Sequence, residues 1–134
     1  MAFVGFEFNK IDVEKKNPEK GQITINNHVN IVKIEKELLK LAGKEEDAVK
    51  FSFEYVSEYG IAGKILLGGS VLYLASKENV ENIIKEWNKN KKVDEELMKI
   101  LINKILNKCN IQTIILSDTV GLPPPVPLPH IKKQ

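Results

Sequence analysis

"VKFSFEYVSEYG", residues 49–60, alternates with a period of two. Val49, Phe51, Phe53 and Tyr55 fall on one side, and Lys50, Ser52, Glu54 and Glu58 on the other. Successive strand side chains point to opposite faces, so this is a β-strand with one dry and one wet side. A glycine-bearing connection, "EYGIAGK", leads to a further strand from Ile61 to Leu74. Its odd positions include Ile65, Leu67, Val71 and Tyr73, and its even positions include Leu66, Leu72 and Leu74, so both faces are covered toward its end. Gly68-Gly69 marks a bulge or a close backbone approach.

Two more strands precede these. Val4, Phe6 and Phe8 share one parity, and Ile11 and Val13 the other, which implies a bulge near Asn9 and Lys10. "KKNPEKG", residues 15–21, is a polar turn with Pro18 and Gly21. Ile23, Ile25, Val29 and Ile31 open the second strand. Residues 32–41 read equally as strand or helix. Ile34, Leu38 and Leu41 sit at helical spacing, and Gly43 could cap a helix there.

Helices follow. Ser76 is suited to cap residues 77–90, with Val80, Ile83, Ile84 and Trp87 on one stripe. Asp94 caps a longer helix, with Val93 and Met98 placed as a hydrophobic staple. That helix runs to about residue 119, roughly 39 Å. Its polar stripe is narrow, so one sheet cannot cover it, and a second copy of the same helix is the simplest partner. Gly121 suits the left-handed position after the helix, with Leu122 following. "GLPPPVPLPHIKKQ", residues 121–134, favours an extended polyproline rod. Leu122, Val126, Leu128 and Ile131 stud it with apolar side chains, which argues for a strap on the chain's own body. Pro124-Pro125-Val126-Pro127 also fits the P-x-x-P pattern of SH3-type ligands, so a ligand reading stands beside the strap reading.

At 134 residues the chain is one domain, residues 1–121, with the segment 122–134 packed on it. No apolar run is long enough to insert in a membrane. "MAFVGFEFNK" lacks a positive region followed by an apolar one, so no signal peptide is expected. The single Cys109 points to a reducing, cytoplasmic setting. Net charge is +2, and all 20 basic residues are lysine. Without arginine's bidentate fork, nucleic-acid recognition is disfavoured.

The order of elements resembles the SecB family of export chaperones and the small SecB-like proteins related to it. "FEFNKIDVEK" is similar to the family's first strand, "VKFSFEYVSEYG" to its aromatic third strand, and "GKILLGGSVLYL" to its glycine-bearing fourth strand. "ELMKILINKILNKCN" and "GLPPPVPLP" resemble its long helix and extended ending. The resemblance implies an α+β fold: a four-stranded antiparallel sheet followed by a short and a long helix packed on one face, with a Pro-rich strap. It implies a homo-oligomer, a dimer or tetramer, that holds unfolded or newly made polypeptides in apolar grooves without ATP and is linked to protein export. Related proteins also serve as chaperones of antitoxins. The export chaperone is strongly acidic, and its acidity serves docking to the SecA motor. Here the pI is near 8.5 and the ending "IKKQ" is basic, so only the holdase role carries over.

Candidate client-groove residues are Phe51, Phe53, Tyr55, Tyr59 and Trp87, although such aromatics are more often core. Candidate oligomer-interface residues are Leu97, Leu101, Ile105 and Leu106. The rival reading is an oligomeric scaffold or adaptor with one dedicated protein partner and no holdase activity. No enzyme, cofactor or metal is expected. His28, His130 and Cys109 lie far apart and lack metal-ligand spacing. Cys109 as a nucleophile is a distant third, since a helix-face cysteine is usually a small core hydrophobe.

Overall fold

The computed structural model describes residues 2–16 and 24–125. Strands β1 (Ala2–Lys15), β2 (Asn26–Leu41), β3 (Lys44–Glu58) and β4 (Gly63–Leu74) precede helices α1 (Lys77–Asn90) and α2 (Glu95–Val120). The strands form one antiparallel sheet in the order β1-β4-β3-β2. Both helices cover the same face, α1 on β2 and β3, and α2 on β3 and β4. The architecture is α+β. Most of the turn expected at 15–21, Ile23, and the tail residues Val126, Leu128, His130 and Ile131 lie outside the described residues.

Residues 32–41 are strand. Ile34 is buried against Phe51 in the register of β2 and β3, and the helical spacing of Leu38 and Leu41 is incidental. A two-residue turn then reverses the chain. Ala42 (φ 52°) and Gly43 (φ 79°) both lie in the left-handed region, the type I′ geometry that matches the twist of a hairpin. Gly43 is thus a turn residue and not a helix cap.

β1 carries two irregularities. Its register slips at Asn9, between Phe8↔Gly69 and Lys10↔Gly68. It slips again at Val4, between Phe3↔Tyr73 and Gly5↔Leu72. The second slip turns Phe3, and not Val4, to the side of Phe6 and Phe8. Gly69 answers the bulge at Asn9: a β-carbon there would stand 2.1 Å from the Glu7 carbonyl oxygen and 2.8 Å from the Phe53 ring. β4 starts at Gly63; Ile61 belongs to a 3-10 turn, Gly60–Ala62, and points to solvent.

Helix ends follow the local chemistry. The Ser76 hydroxyl accepts from the Asn79 amide at 3.2 Å, and the Asp94 carboxylate from the Leu97 amide at 3.2 Å. At the far end of α2, Gly121 N–H donates to the Asp118 carbonyl and Leu122 N–H to the Ser117 carbonyl. That pair of bonds closes a Schellman motif. The core holds Val49, Phe51, Phe53 and Tyr55 of β3, Ile65, Leu67 and Val71 of β4, Val80 of α1, and Leu101, Ile105 and Cys109 of α2.

The β2–β3 turn yields a prediction. An L-alanine in the left-handed region costs about 1 kcal/mol, which asparagine largely avoids. Ala42→Asn should raise the melting temperature by about 2–5 °C. An unchanged melting curve would mean that Ala42 is not held at positive φ in solution.

Candidate functional site

The aromatic face of β3 is not a groove. Phe51, Phe53, Tyr55 and Tyr59 are all enclosed, at 0, 2, 0 and 1% exposure. β3 is an inner strand with helices over that face, so its aromatic side chains form the core. Phe53 meets Phe6 at a ring distance of 5.3 Å, and Phe51 meets Tyr73 at 6.5 Å. Trp87 is half-buried on α1, with the Lys91 ammonium 5.2 Å from its ring.

The candidate interface on α2 divides in two. Leu101 and Ile105 are fully buried in the chain's own core and cannot meet another copy. They start a stripe at every fourth residue, continued by Cys109, Thr113 and Ser117, that lies on the sheet. Leu97 and Leu106 are half-buried beside it. The apolar surface left open is different: Ile100, Ile111 and Ile115 are 51, 61 and 54% exposed. Eleven residues make about three turns, so these isoleucines share one face of the helix.

Next to that face lies a cleft of about 320 Å³ between β1 and α2, lined by Phe3, Val4, Gly5, Phe6, Val71, Lys104, Asn107 and Lys108. The Lys104 ammonium lies 5.3 Å from the Phe3 ring centre and that of Lys108 lies 6.0 Å from Phe6. The floor is thus aromatic and the rim cationic. Among the described residues no strand pairs with the outer side of β1. The two sheet edges differ in charge. β2 carries Lys33, Glu35, Lys36, Glu37 and Lys40 and a bulge at Val32, all of which discourage further pairing. In β1, charges crowd the second half, Lys10 to Lys15, while Ala2–Phe8 carries only Glu7. The open edge is therefore Ala2–Phe8, beside the cleft. A larger, more open depression of about 570 Å³ at Lys36, Glu81, Ile84, Lys85, Asn88 and Lys89 is walled mainly by charged side chains.

Sequence reasoning missed this site because it put Val4, and not Phe3, on the side of Phe6 and Phe8 and set the aromatic groove on β3. The signal that could have found it is the charge contrast between the two halves of β1.

Of the residues in the distant third reading, Cys109 and His28 lie among the described residues and His130 does not. Cys109 is buried in α2, and burial pushes its thiol up to about 12. His28 is exposed on β2, 3.8 Å from the Glu58 carboxylate. Among the described residues no three His, Cys, Asp or Glu side chains converge to hold a metal. Among them, too, no helix is long and apolar enough to cross a membrane. The chain matches no protein-family model, no curated protein and no solved structure.

The core beneath α2 turns polar toward its C-terminal end. Thr113 and Ser117 are buried, and their hydroxyls donate to the Asn110 and Ile114 carbonyls at 3.0 Å each. Tyr55 and Tyr59 lie here. Burial raises the Tyr55 hydroxyl above its ordinary value, partly offset by Ser57 and Thr113 beside it. Burial, with Tyr55 adding to it, pushes Tyr59 up to about 12. A raised folded-state pKa stabilises the fold below the unfolded value, near 10, and the contribution is lost as pH climbs toward about 12. The melting temperature should hold to about pH 9 and fall above pH 10, less steeply in Tyr59→Phe. Equal slopes for wild type and Tyr59→Phe would show that Tyr59 is not buried in solution.

Proposed function

We propose that this chain is an ATP-independent polypeptide-binding protein that holds unfolded or newly made segments along the first half of β1. The observation that carries the reading is the sparsely charged edge Ala2–Phe8, with Glu7 its one charge, beside a cleft floored by half-buried Phe3 and Phe6. An extended client pairs its backbone with that edge as a fifth strand. Alternate client side chains then turn into the cleft, where burial contributes about 25 cal/mol per Å². Lys104 and Lys108 at the rim favour clients with acidic residues near their apolar ones. The likeness to the SecB family supports the same reading, and a link to protein export rests on that likeness alone. A cytoplasmic, reducing setting agrees with the one buried cysteine.

The test is suppression of aggregation of several unfolding proteins without nucleotide. Val4 is exposed at the cleft, so Val4→Lys adds charge to the edge without touching the core. It should abolish most of the suppression with an unchanged melting temperature. No suppression by the wild type, together with one stoichiometric partner recovered from cells, would replace this reading by the adaptor.

The working form in this reading is a homo-oligomer, a dimer or tetramer, closed through Ile100, Ile111 and Ile115, whose exposure on α2 supports it. Light scattering at micromolar concentration should give at least twice 15.2 kDa, and Ile111→Lys with Ile115→Lys should return the chain to a monomer. A wild-type monomer would overturn the assembly.

A further inference from the structure

The chain leaves α2 and settles at once on the sheet. Leu122 is 6% exposed and Pro125 is buried, while Pro123 and Pro124 face outward. Two side chains of the body grip the backbone of this segment. Tyr59 Oη donates to the Pro123 carbonyl at 2.7 Å, and Asn27 Nδ2 donates to the Pro125 carbonyl at 3.1 Å. Ser57 Oγ donates to Asn27 Oδ1, which aims the Asn27 amide at the strap.

The spacing of donors and acceptors agrees. The two carbonyls are two residues apart, about 6 Å in a polyproline rise. Asn27 stands across from Ser57, two residues before Tyr59, and two strand residues span about 6.6 Å. A proline run has no N–H to offer, so a surface that recognises it needs donors and apolar sockets. Asn27 and Tyr59 are both used as donors here, and Leu122 and Pro125 fill the sockets. Grooves that read proline-rich ligands use the same chemistry. The segment also helps to close the helix: the Leu122 amide meets the Ser117 carbonyl, while the Gly121 amide meets that of Asp118.

We propose that Asn27, Ser57 and Tyr59 form a recognition groove for an extended Leu-Pro-Pro-Pro segment, filled in cis by residues 122–125 and able to take the same segment in trans. The ligand class is a proline-rich peptide with a leading leucine, supplied by the same segment of a second copy of this chain. In cis the segment acts at an effective concentration of about millimolar, so the intact chain keeps its groove occupied.

The experiment uses the chain ending at Gly121 and a synthetic peptide of residues 121–134. Calorimetry should show one peptide bound per chain. The peptide should raise the melting temperature of the shortened chain and leave that of the intact chain unchanged. Replacing the three prolines 123–125 by alanine, or Tyr59→Phe in the protein, should weaken binding about tenfold. A folded shortened chain that ignores the peptide at about 1 mM overturns the proposal. If the shortened chain does not fold, the intact protein decides. A proline-specific endoprotease should cut after Pro125 about tenfold faster in Asn27→Ala with Tyr59→Phe than in wild type. Equal cutting rates overturn the proposal as well.

Discussion

One sheet face must be covered, and the seat of α2 on that face governs the rest of the molecule. β3 and β4 turn Phe51, Phe53, Tyr55, Ile65, Leu67 and Val71 to the same side. α2 meets them with Leu101, Ile105, Cys109, Thr113 and Ser117, each four residues after the last. Such a row is inclined about 26° to the helix axis, so a helix using it lies obliquely on a twisted sheet. A row this narrow covers the inner strands and leaves the outermost strand short of cover. The cleft over Phe3 and Phe6 and the exposed isoleucines of α2 both follow from that shortfall.

The two edges of the sheet show different answers to one hazard. An unpaired strand invites another strand, and charges, bulges and short length discourage it. β2 is long but bears lysine and glutamate along its second half, with a bulge at Val32. β1 is bulged at Val4 and Asn9 and charged from Lys10 onward, so its guard is complete only over that half. The glycine opposite the bulge at Asn9 shows how closely β1 and β4 approach there, since the Glu7 carbonyl fills the space that a side chain at residue 69 would need. The lapse in charge at Ala2–Phe8 coincides with the aromatic floor, and that coincidence is why the pairing edge is read as functional.

Much of the fold was legible because its signals are local. Alternation marked β3 from Val49, five residues inside its start at Lys44, while Ser76 and Asp94 marked helix starts and Gly121 marked the end of α2, each within a residue or two of its observed place. The bulge at Asn9 was legible from the change of parity. The bulge at Val4 was not, because Val4, Phe6 and Phe8 alternate without a break and only the pairing with Tyr73 and Leu72 reveals the slip. Residues 32–41 were ambiguous for a related reason: apolar residues at 34, 38 and 41 fit a helix, and pairing with β3 overrode that spacing. The site was misassigned because exposure depends on strand order. A strand rich in aromatics looks the same in sequence at the middle of a sheet as at its edge, and here the middle position of β3 buried what an edge would have shown.

The polar end of the core is matched to the tail. Moving along β3, the inward residues pass from Phe51 and Phe53 to Tyr55 and Ser57, and Tyr59 follows just past the strand's end. Along α2 they pass from Leu101 and Ile105 to Thr113 and Ser117. Buried hydroxyls cost free energy unless they find acceptors. Thr113 and Ser117 find them on their own helix, and Ser57 finds Asn27. Tyr59 finds an acceptor in the strap, at the Pro123 carbonyl. A tail of ordinary sequence would bring N–H groups that need acceptors of their own at the same place. Pro123, Pro124 and Pro125 bring carbonyls alone, so the composition of the tail and the donor set of the sheet are complementary.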